Sequence, residues 1–199
     1  RLEKKEKCLV QKDTTDYSLL QQTLSGLQEL MNSEKSLLMQ RKSVRQYTNE
    51  SIPDELIEKL LTSAMQAPSA NNQQPWEFVV VRNRETLDEL SVISNGAWML
   101  SQAPLCITVI IKEDGKSPMM AQQDCAAATE NILLEAVNLG LGAVWIGVYP
   151  IEERYHKVNE ILNIKGKKAF CNIAIGYPKS ETPVSIRFDK SRIHYESVK

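Results

Sequence analysis

Residues 122–139 limit the possible folds of this chain more than any other stretch. They form the longest run with helical character, they carry three adjacent alanines at Ala126, Ala127 and Ala128, and Gly140 and Gly142 end them. Small side chains let a helix axis approach its neighbour closely, so such a helix must lie against another helix or a sheet. An apolar run of strand length, residues 143–148, follows at once.

The flanking sequence repeats that alternation. Residues 76–81, 105–111 and 170–177 read as further strands, the first with three consecutive valines at Val79, Val80 and Val81. Residues 53–66, 85–94 and 151–162 read as helices, and a short one is expected over 34–42. Ser51 is a candidate cap for the helix at 53–66, with proline tolerated in its first turn, and Pro68 closes it. Strands alternating with helices argue for a layered α/β or α+β domain. The connection 112–120 is polar and contains Gly115 and Pro118, so it reads as a surface loop.

Residues 1–33 stand apart as an N-terminal extension, and 34–199 form the expected domain. Within the extension Leu20, Leu24, Leu27 and Leu30 make a stripe at helical spacing. It reads either as a native helical arm or as non-native upstream sequence, with the natural start at Met31 or Met39.

Several function classes drop out on bulk properties. A formal net charge of -1 over 199 residues gives no footprint for nucleic acid or an anionic membrane surface. The longest apolar run, 105–111, is far too short to span a bilayer. Cys8, Cys106, Cys125 and Cys171 form no CxxC pair, and the only histidines, His156 and His194, show no ligand spacing. Core thiols in a reduced, cytoplasmic protein are therefore expected, with no metal site.

Chemistry concentrates in two pieces. Arg41-Lys42-Ser43-Val44-Arg45 sets cations about a hydroxyl, and arginine forks suit the oxygens of a phosphate. Pro68-Ser69-Ala70-Asn71-Asn72-Gln73-Gln74-Pro75-Trp76 is an amide-rich turn between helix and strand patterns, and carboxamides can match both donors and acceptors on a heterocycle edge. Taken singly, the first is more often a solvated basic patch or a kinase-type sequence around Ser43, and the second an ordinary turn. Gly140-Leu141-Gly142 precedes a strand, so it is a helix stop rather than a dinucleotide fingerprint. No Ser-His-Asp or Cys-His constellation is evident.

Those two motifs, followed in order by Gly140-Leu141-Gly142-Ala143-Val144-Trp145-Ile146-Gly147 and Ile175-Gly176-Tyr177-Pro178, resemble the FMN-dependent nitroreductase family over about residues 34–195. The resemblance implies an α+β sandwich with a central mixed sheet between helices, working as an intertwined homodimer with FMN at the subunit interface. It implies a ping-pong reaction in which NADH or NADPH reduces the flavin and the flavin reduces a small-molecule acceptor, such as a nitroaromatic or a quinone. Arg41 and Arg187 become the expected phosphate ligands, with Ser43 as a hydroxyl donor and Lys42 or Arg45 nearer the ring or ribityl. Pro68, Ser69 and Ala70 would reach the partner's flavin, Asn71, Asn72 and Gln73 would meet its polar edge, and the backbone of Ile146, Gly147 and Val148 would lie against the ring. No side chain is expected as general acid or base, because the flavin carries the chemistry. Specialised relatives of the same fold (enone reductase, dehalogenase or flavin-processing enzyme) stay open, as does a non-catalytic interaction protein. The helix at 53–66 separates basic run and amide turn by about 20 Å, which suggests two half-sites completed when two chains meet.

Overall fold

A computed structural model describes residues 36–181, 183–185 and 187–198. Cys8 and the leucine stripe of the N-terminal extension lie outside the described residues. After a single turn, α1 (Leu37–Gln40), come α2 (Asp54–Met65), β1 (Trp76–Val81), α3 (Arg84–Ser91), β2 (Leu105–Ile111), α4 (Ala121–Asn138), β3 (Gly142–Gly147), α5 (Glu152–Ile161) and β4 (Lys168–Gly176).

The strands form one sheet in the order β1-β2-β4-β3. Every ladder is antiparallel, with Trp76 opposite Ile111, Leu105 opposite Ile175 and Gly142 opposite Gly176. The only parallel component among the described residues is an isolated bridge between Ser43 and Ala143 on the outer edge of β3. β2 is buried along its whole length and β4 along all but its first residue, because helices cover both faces. Side-chain alternation divides the core accordingly. Leu105, Ile107, Val109, Cys171, Ile173 and Ile175 pack with Leu60 and Ala64 of α2 and with Ala128 and Ile132 of α4. Cys106, Ala174, Val144 and Ile146 pack with Leu87 and Leu90 of α3 and with Val158 of α5.

Of the alanine cluster on α4, Ala128 is fully buried and Ala126 and Ala127 are half-buried against the same core, while Ala121 and Ala136 on the helix's inner face are also fully buried. The helix stops where the glycines predict. Gly140 takes φ +71, Leu141 N–H donates to Ala136 O at 2.7 Å and Gly140 N–H to Val137 O at 3.1 Å, so the last carbonyls are satisfied as the chain turns into β3. Helix starts differ from the sequence reading. α2 begins at Asp54 behind Pro53 with no side-chain cap, so Ser51 does not perform that role. α3 begins one residue early, at Arg84, because the Asn83 side chain accepts from Thr86 N–H at 2.9 Å. No described helix is long and apolar enough to cross a membrane.

Candidate functional site

The basic run is held in an extended conformation against the ends of β3 and β4. Gly142 and Gly176 face each other across that ladder and leave a gap. A Cβ on Gly142 would fall 2.7 Å from Val44 Cβ, and one on Gly176 would fall 2.8 Å from Tyr47 Cδ1. Only glycine at both places admits Val44 and Tyr47. Val44 N–H donates to Ala143 O at 3.0 Å and Thr48 N–H to Tyr177 O at 2.9 Å. Tyr47 is buried, and its hydroxyl reaches Val44 O and Ala174 O, the latter at 3.1 Å. Burial pushes its phenol well above the ordinary 10.0, outweighing the opposing pull of the Arg45 charge, so it stays a neutral donor. With Val44 turned into the sheet, its neighbours Ser43 and Arg45 are exposed.

A cleft of about 480 Å3 opens above this segment, lined by Arg41, Lys42, Ser43 and Arg45 with Leu38, Met39, Pro183, Val184, Ser185 and Arg187. The tail thus brings Arg187 to the basic run, although the two are far apart in sequence. Four cationic side chains share the cleft, and Arg41 Nε lies 3.6 Å from Glu130 of α4. Such a concentration of positive charge selects an anion, and the cleft is of ordinary ligand size.

The amide turn lies elsewhere and lines no part of that cleft. It is one turn of 3-10 helix, Ala70–Asn72, with left-handed backbone at Asn71 (φ 52), Asn72 (φ 51) and Gln74 (φ 46). Pro68, Asn71 and Asn72 are exposed, and Ser69 and Ala70 are half-buried. Gln73 points inward: its amide nitrogen donates to Ser117 O at 2.9 Å and Asp124 Oδ2 at 2.6 Å, while its oxygen accepts from Ser117 N–H at 2.9 Å. That carboxamide braces the turn against the 112–120 connection. Asn71 adds a 2.7 Å bond from Nδ2 to Ser117 Oγ.

At the end of β3, Ile146 and Val148 send their side chains into the core, whereas Gly147 is exposed. A Cβ there would meet nothing within 4 Å, so its backbone is open to a ligand. Arg154 of α5 donates from Nη1 to Gly147 O at 3.3 Å.

Sequence reasoning missed the residues that hold these pieces in place. Tyr47 gave no signal by composition, since its value depends on reaching a carbonyl of β4. Asp124 did give one: it is an acidic residue on the stripe Ala121, Cys125, Ala128 and Ile132 that α4 buries. Among the described residues no group of three or more His, Cys, Asp or Glu side chains forms a metal site.

Known proteins resemble the chain over this same region. A profile of the nitroreductase family matches residues 38–105 and 95–177. A protein of Archaeoglobus fulgidus named "Putative NADH dehydrogenase/NAD(P)H nitroreductase" is 46% identical over 166 residues, covering 80% of this chain and 95% of that protein. A crystal structure of a "Putative NADH Oxidase" from Clostridium acetobutylicum superposes with a TM-score of 0.79 at 50% identity, over 81% of this chain and 99% of that one. The FMN-dependent nitroreductase of Clostridium difficile gives a TM-score of 0.77 at 29% identity, over 82% and 99% of the two chains.

Proposed function

This chain belongs to the nitroreductase family, and from that premise we propose that it is an FMN-dependent oxidoreductase that draws electrons from NADH or NADPH. The observation that carries the reading is the cleft of about 480 Å3 in which Arg41, Lys42, Arg45 and Arg187 converge beside the Ser43 hydroxyl. That donor set fits the dianionic phosphate of FMN: guanidinium forks meet its oxygens in pairs, and a hydroxyl supplies a further donor. Hydride transfer is chemistry that FMN supplies when bound.

The protein's own contribution is to bind and orient. Arg41, Arg45 and Arg187 neutralise the phosphate, and the Gly142–Gly176 gap fixes the first two by seating Val44 and Tyr47. The open backbone at Gly147 suits close approach of a flat ring, since no side chain intervenes. The exposed amides of Asn71 and Asn72 suit a polar ring edge. Their absence from the basic cleft supports a site shared between the two chains of a homodimer, the turn of one closing over the ring held by the other.

Small electron-poor acceptors, nitroaromatics and quinones, are the substrates this reading favours, by ping-pong use of one pocket. The connection 112–120 is short and pinned to Gln73, which disfavours the larger lid of a specialised enzyme. A cytoplasmic location is consistent with the buried free thiols Cys106, Cys125 and Cys171. The test is an absorption spectrum of the purified chain after FMN addition, then steady-state turnover with NADH and NADPH against a nitroaromatic and a quinone. Flavin bands and turnover are expected; a protein that takes up no FMN would refute the reading. A flavin-loaded monomer by light scattering would refute the shared site.

A further inference from the structure

We propose that Asp124 is a positioning residue that sets the flavin-facing amide turn, an inference that rests on the FMN reading above. Asp124 lies in the first turn of α4 and is 6% exposed. None of the ion pairs among the described residues involves it. A buried carboxylate without a cation is costly unless hydrogen bonds satisfy it. Here both oxygens are used on one object: Oδ1 accepts from Ala70 N–H at 3.0 Å and Oδ2 from Gln73 Nε2 at 2.6 Å. These donors bracket Asn71 and Asn72, two of the three turn residues with positive φ.

Asparagine tolerates left-handed backbone as a single residue, but two in succession followed by Gln74 carry a cost that the surroundings must offset. The carboxylate supplies that offset from a rigid helix, and Gln73 extends it to both backbone groups of Ser117. A methyl on Gly115 would fall 2.4 Å from Gln73 Oε1, so the connection is packed directly against the brace. Both oxygens of Asp124 are turned to Ala70 and Gln73, and it lines no part of the basic cleft. It acts through the backbone that presents Ser69, Ala70, Asn71 and Asn72.

Asp124→Asn is the decisive variant. A carboxamide has one acceptor oxygen, so either Ala70 N–H or Gln73 Nε2–H must face another donor, and the turn must relax. The full-length variant is to be compared with wild type at saturating FMN, reading kcat for a quinone and the visible circular dichroism of the bound flavin, which reports the ring's surroundings. Asn131→Ala is the matched control, because it removes a different brace of α4, the 2.9 Å bond from Nδ2 to Ser63 O, without touching the turn. In Asp124→Asn, kcat is expected to fall roughly tenfold with a changed flavin dichroism, since small misplacements at a reacting ring are expensive. Asn131→Ala should match wild type in both. A fall of less than threefold, or an unchanged dichroism, overturns the proposal. Gln73→Ala, which leaves the Asp124–Ala70 bond in place, keeps the test decisive if Asp124→Asn does not fold: it must show the same two changes, and wild-type values in it equally overturn the idea. Wild-type protein that binds no FMN would instead refute the functional reading itself.

Discussion

Replacing Gly142 with alanine should damage cofactor binding through a single methyl group that touches no cofactor. Built on the existing backbone, that methyl would sit 2.7 Å from Val44 Cβ and Cγ1 and 2.9 Å from Cγ2. Relaxed carbon–carbon contacts lie at about 3.5–4.0 Å, so Val44 must retreat by roughly 1 Å. Its N–H is bonded to Ala143 O, so the retreat displaces the backbone between Arg41 and Arg45 as well. Overpacking of this kind costs about 1–3 kcal/mol. Alanine returns about 0.4–1 kcal/mol by restricting the unfolded chain. A net loss of roughly 1–2 kcal/mol corresponds to a fall in Tm of about 2–8 °C for a chain of this length. The assay pairs a thermal melt with an FMN titration. Gly96→Ala is the internal control, because its new methyl would meet only Ser94 Oγ, at 3.9 Å, an ordinary contact. If Gly142→Ala has wild-type Tm and wild-type FMN affinity, the seating argument is wrong.

Other outcomes follow from the same geometry. Arg41→Ala should weaken FMN binding about 10- to 100-fold by fluorescence titration, the loss of a charge-assisted partner worth about 1.5–3 kcal/mol; unchanged affinity would put the phosphate elsewhere. Tyr47→Phe removes the hydroxyl that ties Val44 O to Ala174 O and should cost about 1–2 kcal/mol in a denaturant melt. Burial pushes the thiols of Cys106 and Cys125 from 9.0 up to about 12, the Asp124 charge adding to the rise at Cys125, and burial raises Cys171 further. Their folded values exceed the unfolded one, so the neutral thiols stabilise the fold fully below pH 9, and that contribution is lost as pH rises from 9 to 12. Melts across that window should show the decline, and these thiols should resist a disulfide reagent at pH 8 until the chain unfolds.

Residues 105–111 were legible because burial on both faces leaves a long apolar run; residues 76–81 also fall where the pattern puts them, but as an edge strand β1 buries only Trp76 and Val81 and leaves Val80 exposed. The order of the strands was not legible, since Trp76 finds Ile111 and Leu105 finds Ile175 through contacts no local pattern encodes. Ser51 illustrates a local rule overridden: Pro53 O accepts from Leu56 and Ile57 N–H and starts α2 without a side-chain cap. At the candidate site, residue type singled out segments whose side chains the structure uses partly for bracing. The carboxamide of Gln73 suits a ligand by its chemistry, yet Ser117 and Asp124, 44 and 51 residues away, take its bonds. Gly142 looked like a helix stop, and Gly140 alone provides the positive φ that stop needs. The second function of Gly142, as a socket for Val44, exists only in three dimensions.

The bridge from Ser43 to Ala143 has a bearing on self-association. β3 is an outer strand of the sheet, with a largely aliphatic sequence from Gly142 to Gly147. A bare edge of this kind invites pairing with another chain. The segment lying along it carries three cations in five residues, Arg41, Lys42 and Arg45, so it both occupies the ladder positions near Ala143 and repels an identical neighbour. Any change that loosens Val44 and Tyr47 would uncover that edge. The residues proposed to hold FMN would therefore also shield the sheet from aggregation.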